Sequence, residues 1–257
     1  MKSKRSIVSA RREKIIDAIR QFENVSVEDL SKALEVSPLT IRRDLQYFED
    51  KNIIERYYGG ARIVKDFDDV LNDIEYRKNI IAKYAASFVE DGDSIFINTS
   101  STALLLIKYL EGKRVTVITN NGKAIFSEYD MQISIVLTGG ELRNPKESMT
   151  GDFAINNLMR VTANKAFLGC SGITSQTGIT TSVLPEVAIN EIMLSRCSGS
   201  KFIMADYTKV GIDQNFVSGS IENIDYLITD DKADREKLDE IREKGIKTIV
   251  LDNLEAK

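Results

Sequence analysis

The chain has 257 residues, of which 42% are hydrophobic, and this length and composition predict two globular domains. It contains no histidine, which excludes catalytic triads and metal sites that depend on an imidazole. No apolar run approaches the roughly 18 residues of a membrane span, and the two cysteines fit no metal-binding spacing. We therefore expect a reduced, cytoplasmic protein with no membrane partner, no metal and no cofactor.

The net charge of −4 is divided unevenly along the chain. Residues 1–62 carry 13 Lys and Arg against 10 Asp and Glu, a net charge of +3, and the remaining residues carry 22 against 29, a net charge of −7. A small basic part on an acidic body is weak evidence for a nucleic-acid-binding head.

The first 62 residues predict three short helices followed by a β-hairpin. Ser26 and Ser37 are N-cap residue types, and Pro38 suits the first position of a helix. Apolar and aromatic residues then flank Gly59-Gly60, which predicts the hairpin turn. Three short helices and a hairpin together indicate a winged helix-turn-helix. The predicted helices cover about Ala10–Phe22, Ser26–Leu34 and Pro38–Lys51.

The third predicted helix is the candidate for reading DNA. If Ile41 and Leu45 face the core, Arg43 lies about 200° around the helix from Ile41, on the opposite face. An arginine there can donate to two guanine acceptors in the major groove. The alternative is a solvated surface whose arginines pair with carboxylates, but the position between a capped turn and a hairpin favours DNA. The predicted DNA-binding residues are Ser37, Pro38, Thr40, Arg42, Arg43, Tyr47, Arg56, Tyr58, Gly59 and Gly60.

After an acidic stretch, Asp66–Asp73, short apolar strands alternate with helices, which predicts an α/β domain with a mainly parallel sheet. We therefore place a DNA-binding domain at 1–65, a linker at 66–75 and an effector-sensing domain at 76–257. The predicted strands are Ser94–Ile97, Val115–Ile118, Ile133–Leu137, Ala166–Leu168, Phe202–Ala205, Tyr226–Ile228 and Thr248–Leu251. The predicted helices are about Ala82–Val89, Ala103–Leu110, Lys123–Tyr129, Phe153–Val161, Pro185–Cys197 and Ala233–Glu243.

Four loops that follow predicted strands are rich in hydroxyl, glycine or lysine residues. Open α/β sheets bind ligands at the carboxyl ends of their strands, and free amides at a helix N-terminus suit a phosphate. For the loop at 98–102, ordinary N-capping is an equally good interpretation. The candidate effector-binding residues are Thr99, Ser100, Ser101, Thr102, Asn120, Gly139, Gly140, Gly169, Ser171, Gly172, Glu186, Asp206 and Lys209, and no residue is assigned a catalytic role.

The segment Thr40-Ile41-Arg42-Arg43-Asp44-Leu45, followed by Gly59-Gly60-Ala61, resembles the N-terminal signature of the DeoR family of bacterial transcription factors. Residues 137–143 and 178–181 are similar to the family's sensor domain, so the resemblance covers nearly the whole chain. It implies a C-terminal fold like that of ribose-5-phosphate isomerase. It also implies a regulator, most often a repressor of a sugar or related metabolic operon, that a phosphorylated sugar or similar metabolite releases from its DNA operator.

Two departures from the family pattern concern the sensor domain. Ser100 stands where the family has a glycine, and Ser171 stands where many members have an aspartate. Two other interpretations stay open: a sugar-phosphate isomerase or hydrolase with an added head domain, and a scaffold that binds no ligand. The helix-turn-helix pattern, the missing histidine and Ser171 argue against the enzyme. Because helix-turn-helix proteins bind paired half-sites, we expect a homo-oligomer, either a dimer or a tetramer.

Overall fold

The protein is described by a computed structural model that covers residues 11–12, 14–16, 18–19, 25–49, 54–57, 60–63, 67–144 and 146–252. The chain divides into two compact units, Met1–Asp73 and Ile74–Lys257. The division at 73/74 falls within the stretch that the sequence predicts as a linker. Among the described helices, none combines the length and apolar character that a bilayer-crossing segment requires.

The N-terminal unit is a winged helix-turn-helix, as predicted. Helical residues at 11–12, 14–16 and 18–19 precede strand β1 (Val25–Ser26), helix α1 (Val27–Ala33), helix α2 (Pro38–Glu49) and strands β2 (Ile54–Tyr57) and β3 (Gly60–Ile63). The strands form an antiparallel sheet in the order β1-β3-β2. The predicted inward residues Ile41 and Leu45 are buried together with Ile15, Ile19 and Leu30, because their helical spacing places them on facing stripes.

The wing is an antiparallel pair of strands in which Tyr57 pairs with Gly60, so Gly60 begins β3. Tyr58 and Gly59, both predicted to bind DNA, lie outside the described residues.

A single helix, α3 (Phe67–Ala86), begins well before the predicted helix start at Ala82 and corrects it. The same helix covers most of the predicted linker at 66–75. Further along, α3 buries Ile81 and Ala85 against the sheet of the C-terminal unit.

The C-terminal unit contains a seven-stranded parallel sheet in the order β15-β14-β12-β9-β4-β5-β6, which confirms the predicted sheet. Its two faces carry separate apolar clusters, since alternate residues along each strand point to opposite sides. All seven strands begin within one residue of a predicted strand. They are β4 (Ser94–Ile97), β5 (Thr116–Thr119), β6 (Ser134–Leu137), β9 (Lys165–Gly169), β12 (Lys201–Met204), β14 (Tyr226–Asp230) and β15 (Lys247–Leu251).

The helices between these strands are shorter than predicted, and two stretches are 3-10 helices wholly or in part. The α-helices are α4 (Ser101–Leu105), α5 (Asp152–Leu158), α6 (Glu186–Ser195) and α7 (Arg235–Glu243). The 3-10 helices are η1 (Leu106–Tyr109), η2 (Gly122–Phe126), η3 (Tyr207–Lys209) and η4 (Ile221–Asn223).

Five further strands lie in segments for which the sequence predicts no strand. Strands β7 (Glu141–Arg143) and β8 (Ser148–Thr150) form a hairpin. Strands β10 (Gly172–Thr174), β11 (Gly178–Thr181) and β13 (Phe216–Gly219) form an antiparallel sheet in that order. Residues of β10 and β11 are buried throughout, so these strands show neither the apolar–polar alternation nor the apolar runs on which strand prediction depends.

Candidate DNA-binding surface and effector site

Helix α2 is placed by a short capped turn. The Asp29 amide donates to Ser26 Oγ at 3.0 Å, which caps α1, and the Thr40 amide donates to Ser37 Oγ at 3.2 Å, which caps α2. The hydroxyls of Ser37 and Thr40 are also 2.9 Å apart and hydrogen-bonded. Both caps are those expected from the sequence, and each satisfies a backbone amide at the start of its helix.

The arginines around α2 fall into two groups. Arg11 and Arg12 place their Nε atoms 2.7 Å and 2.8 Å from the carboxylate of Asp44, which is buried. Asp44 therefore ties α2 to the first helical segment. Arg42 and Arg43 instead project from the exposed face of α2, and neither has an ion-pair partner among the described residues. Two cations are thus left available on the predicted reading face.

The other predicted DNA-binding positions differ in their surroundings. Pro38 is exposed at the start of α2. Arg56, on the wing, donates through Nη1 to Gln46 Oε1 at 2.9 Å and lies 3.5 Å from Glu49 Oε2, so it braces the wing against α2. The surroundings of the Tyr47 side chain and of Gly60 lie outside the description. DNA contact by all of these residues stays a prediction.

In a parallel sheet the carboxyl ends of all strands meet at one edge, and the predicted effector loops lie there. Asn98, just after β4, connects three of these segments. Its side chain accepts from the Gly169 amide at 3.0 Å, donates to the Gly169 carbonyl at 2.8 Å and donates to Asn190 Oδ1 at 3.0 Å. Asn98 thereby joins the ends of β4 and β9 to α6.

Ser100 is the N-cap of α4, which confirms the capping interpretation of this loop. Its Oγ accepts from the amides of Thr102 and Ala103 at 3.2 Å and 3.3 Å, so two amides suited to a phosphate are already used. Ser100 has ordinary extended dihedrals, φ −66° and ψ 137°, and its backbone does not require a glycine. It packs on Gly169 so closely that a Cβ there would lie 1.9 Å from Ser100 Oγ.

The buried carboxylate of Glu186 joins four segments of this edge. It accepts from Thr99 Oγ1 at 3.1 Å, from Thr181 Oγ1 at 2.9 Å and from Lys146 Nζ at 3.1 Å and 3.0 Å. The structure thus brings together two of the predicted effector residues, Glu186 and Thr99. Sequence reasoning missed Lys146, because nothing in its local pattern distinguishes it from a solvated lysine.

A second group of charged residues surrounds the end of β14. Asp206 caps η3 by accepting from the Thr208 amide at 3.0 Å. Asp230, fully buried, accepts from the Tyr207 amide at 2.8 Å and pairs with Arg77 Nη1 at 2.8 Å. Burial raises the pKa of the Asp230 carboxyl, and these hydrogen bonds and the Arg77 charge partly oppose the rise.

Lys209 ends η3 next to this group and, among the described residues, forms no ion pair. Its charge acts on the nearby thiol of Cys170, although burial dominates there and raises the pKa of that thiol to about 12. Cys170 is therefore a protonated packing residue at neutral pH, and Lys209 is a cation of this edge without an ion-pair partner in the described part of the chain.

The remaining predicted effector residues differ in how buried they are and in what they contact. Asn120 is buried beside β8, where its Nδ2 donates to the Met149 carbonyl at 3.1 Å, and Gly140 lies against the Thr150 carbonyl. Gly139 has open space around its α-carbon, and Ser101 is exposed on α4. Gly172, by contrast, lies in β10 so near the Ile212 carbonyl that an added Cβ would be 2.1 Å from its oxygen, so its role is close packing. The amide of Ser171 donates to the Thr180 carbonyl in the same sheet.

Comparison with known proteins gives consistent matches to both units. The model of the DeoR-like helix-turn-helix domain matches residues 11–67, and that of the DeoR C-terminal sensor domain matches residues 75–231. The HTH-type transcriptional regulator GolR of Listeria innocua is 33% identical, covering 92% of this chain and 96% of that protein. The HTH-type transcriptional repressor GlcR of Bacillus subtilis is 30% identical, covering 95% of this chain and 96% of that protein.

More distant matches include a repressor and an enzyme. The lactose phosphotransferase system repressor of Staphylococcus aureus is 29% identical, covering 90% of this chain and 95% of that protein. A solved ribose 5-phosphate isomerase A from Methanocaldococcus jannaschii is 21% identical over 51% of this chain and 52% of that chain, with a TM-score of 0.37.

Proposed function

Because the chain belongs to the DeoR family of DNA-binding transcriptional regulators, we propose that it represses an operon of sugar or related metabolism and releases its operator when a phosphorylated sugar or similar metabolite binds. The observation that carries the DNA-binding part is the pair Arg42 and Arg43, exposed on a capped helix and unpaired among the described residues. GlcR and the lactose phosphotransferase system repressor are named as repressors, which supports the sign of regulation.

The surroundings of the two arginines suit base reading. Side chains that lack an internal partner lose no ion pair on entering the major groove, and a bidentate arginine–guanine contact discriminates by about 1–3 kcal/mol. Asp44 keeps α2 fixed from the opposite side, since both of its oxygens are held by arginines of the first helical segment. In this proposal Ser37 and Thr40, at the start of α2, contact the phosphate backbone.

Arg43→Ala should weaken binding to the best DNA site by about 1–3 kcal/mol, roughly 5- to 150-fold, and flatten the preference at one base pair. The site is first selected from a random duplex library with the full chain, and affinity is then measured by fluorescence anisotropy at fixed salt. Arg235→Ala, an exposed arginine on α7, is the matched control and should change neither value. Equal affinity and selectivity for Arg43→Ala and the control would contradict the proposal.

The effector part rests on the charge and hydrogen bonding of the carboxyl edge. Lys209 is the available cation, and the Thr102 and Ala103 amides would become available if a ligand displaced the Ser100 hydroxyl. A phosphate held by these groups combines charge with helix-terminal amides. A coupling of roughly 1–3 kcal/mol between ligand and operator would change operator affinity about 5- to 150-fold.

Lys209→Ala should keep operator affinity but lose the response to ligand. The selected DNA is titrated in the presence of a panel of pentose and hexose phosphates, with inorganic phosphate for comparison. At least one sugar phosphate should weaken binding by the wild type and not by Lys209→Ala, whereas Lys244→Ala, an exposed lysine after α7, should respond as the wild type does. If Lys209→Ala still responds fully, or if no phosphate changes affinity, the sensor proposal fails and a scaffold becomes the better interpretation.

A further inference from the structure

Strand β6 forms an open edge of the parallel sheet. Among the described strands it pairs only with β5, and its sequence, Ser134-Ile135-Val136-Leu137, contains no charge and no proline. Natural edge strands normally carry charges, prolines or bulges, or are covered, because unpaired backbone groups invite pairing with another strand. An uncharged edge of this kind predicts a partner that covers it.

Large apolar side chains are exposed on β6 and on the segment before it. Phe126, the last residue of η2, is 81% exposed, Met131, shortly before β6, is 98% exposed, and Val136 on β6 is 43% exposed. Ile125 and Leu142 add further exposed apolar surface, and Leu142 lies against Gly122 at the start of η2. We call these five side chains, together with β6, the edge patch.

The size of the edge patch suits a stable association. A phenylalanine buries about 150–250 Å² when it is fully covered, so five large side chains at these exposures amount to several hundred square ångströms. Each partner contributes roughly 800 Å² to a standard-size interface. Exposed apolar patches of this extent on soluble proteins mark interaction sites.

We propose that the edge patch is the interface with a second copy of this chain, in which the two β6 strands pair antiparallel across a two-fold axis. A two-fold axis brings the same patch from both copies together, and an uncharged apolar edge is complementary to itself. The choice of a second copy also rests on the proposed function, because helix-turn-helix domains meet two half-sites and need two heads. The patch itself is independent of that function.

The full chain should sediment as a dimer of the 28.8 kDa protomer, and Phe126→Glu and Val136→Lys should each raise the dimer dissociation constant at least tenfold. The matched control is Val217→Lys, because Val217 is 48% exposed on β13, an edge strand of the antiparallel sheet. It should leave the dimer intact. Circular dichroism and thermal melting check that each variant is folded.

Cross-linking tests the geometry separately. Cys197 is buried and burial raises the pKa of both native thiols, so a new exposed cysteine should react first with a short bis-maleimide. Ser134→Cys should give a covalent dimer and Val217→Cys should not. A monomeric wild type, a dimer that resists both patch variants, or equal cross-linking at the two positions would overturn the inference. DNA selection is a separate readout, so a dimer without DNA binding contradicts only the proposed function.

Discussion

Arg77→Ala is expected to destabilise the C-terminal unit by about 3–5 kcal/mol, the usual cost of removing one partner from a buried ion pair. The Arg77 side chain, on α3, is only 2% exposed, and its Nη1 lies 2.8 Å from Asp230 Oδ1. The same nitrogen lies 2.5 Å from Asp231 Oδ1. Without the guanidinium, the Asp230 carboxylate stays buried with no counter-charge from α3. Urea unfolding followed by circular dichroism measures the loss.

Two further variants test whether the unpaired, buried carboxylate of Asp230 causes this destabilisation. Asp231 is 41% exposed, so Asp231→Asn should cost no more than about 1 kcal/mol. Arg77→Met/Asp230→Asn removes both buried charges and should be more stable than Arg77→Ala. If Arg77→Ala were as stable as Asp231→Asn, the buried pair would not stabilise the fold.

The loss of unfolding free energy in Arg77→Ala should also depend on pH. Burial raises the pKa of Asp230, and removing Arg77, which opposes that rise, should raise it further. A carboxyl with a raised folded-state pKa contributes stability that is fully present below its unfolded-state pKa and is lost as the pH rises through the folded-state pKa. The difference in unfolding free energy between wild type and Arg77→Ala should therefore be smallest at about pH 4 and should grow toward neutral pH.

Gly169→Ala is expected to destabilise the same unit by about 3 kcal/mol, the upper end for an overpacked core. The added methyl would lie 1.9 Å from Ser100 Oγ and 2.2 Å from Ser100 Cβ, and the next nearest atom is 3.5 Å away. The collision is thus with one side chain. Because that side chain also caps α4, moving it away would break two hydrogen bonds.

Ser100→Gly provides the matched background for this test. It removes the colliding atoms and, since glycine is itself a tolerable N-cap, should cost only a few tenths of a kcal/mol alone. Gly169→Ala should then be much less costly in Ser100→Gly than in the wild type, with a coupling of about 0.5–3 kcal/mol in a double-mutant cycle. Purely additive effects would show that Gly169 is needed for a different reason.

The predictions that succeeded depend on local pattern. The strands of the parallel sheet are covered on both faces, so their sequences are apolar runs, and the predicted bounds of β4 are those observed. The exposure of Arg42 and Arg43 follows from helical periodicity once Ile41 and Leu45 are inside. The strands of the antiparallel sheet are short and rich in glycine and threonine, and their pairing leaves no comparable signal.

The contacts that sequence reasoning missed at the sites join residues that are distant in sequence. Asp44 is held by Arg11, 33 residues away, Glu186 by Lys146, 40 residues away, and Asp230 by Arg77, 153 residues away. From a single sequence, a charged residue is predicted to be solvated, because its oppositely charged partner is recognised only once the fold is known. The start of α3 was predicted too late for a different reason, because an acidic run such as 66–73 is as typical of a linker as of the start of a helix.

The pairing of β4 with β9 has a consequence for how the chain is made. Ile95 pairs with Lys165, about 70 residues later, whereas the ladders of the winged helix close within residues 25–63. At about 5–20 residues per second, translation leaves β4 without its central neighbour for roughly 4–14 s. During that interval the N-terminal unit of the nascent chain can fold completely, whereas the parallel sheet lacks β9 and leaves an apolar edge of β4 unpaired. A ribosome halted near residue 160 should therefore present a protease-resistant head and a protease-sensitive remainder.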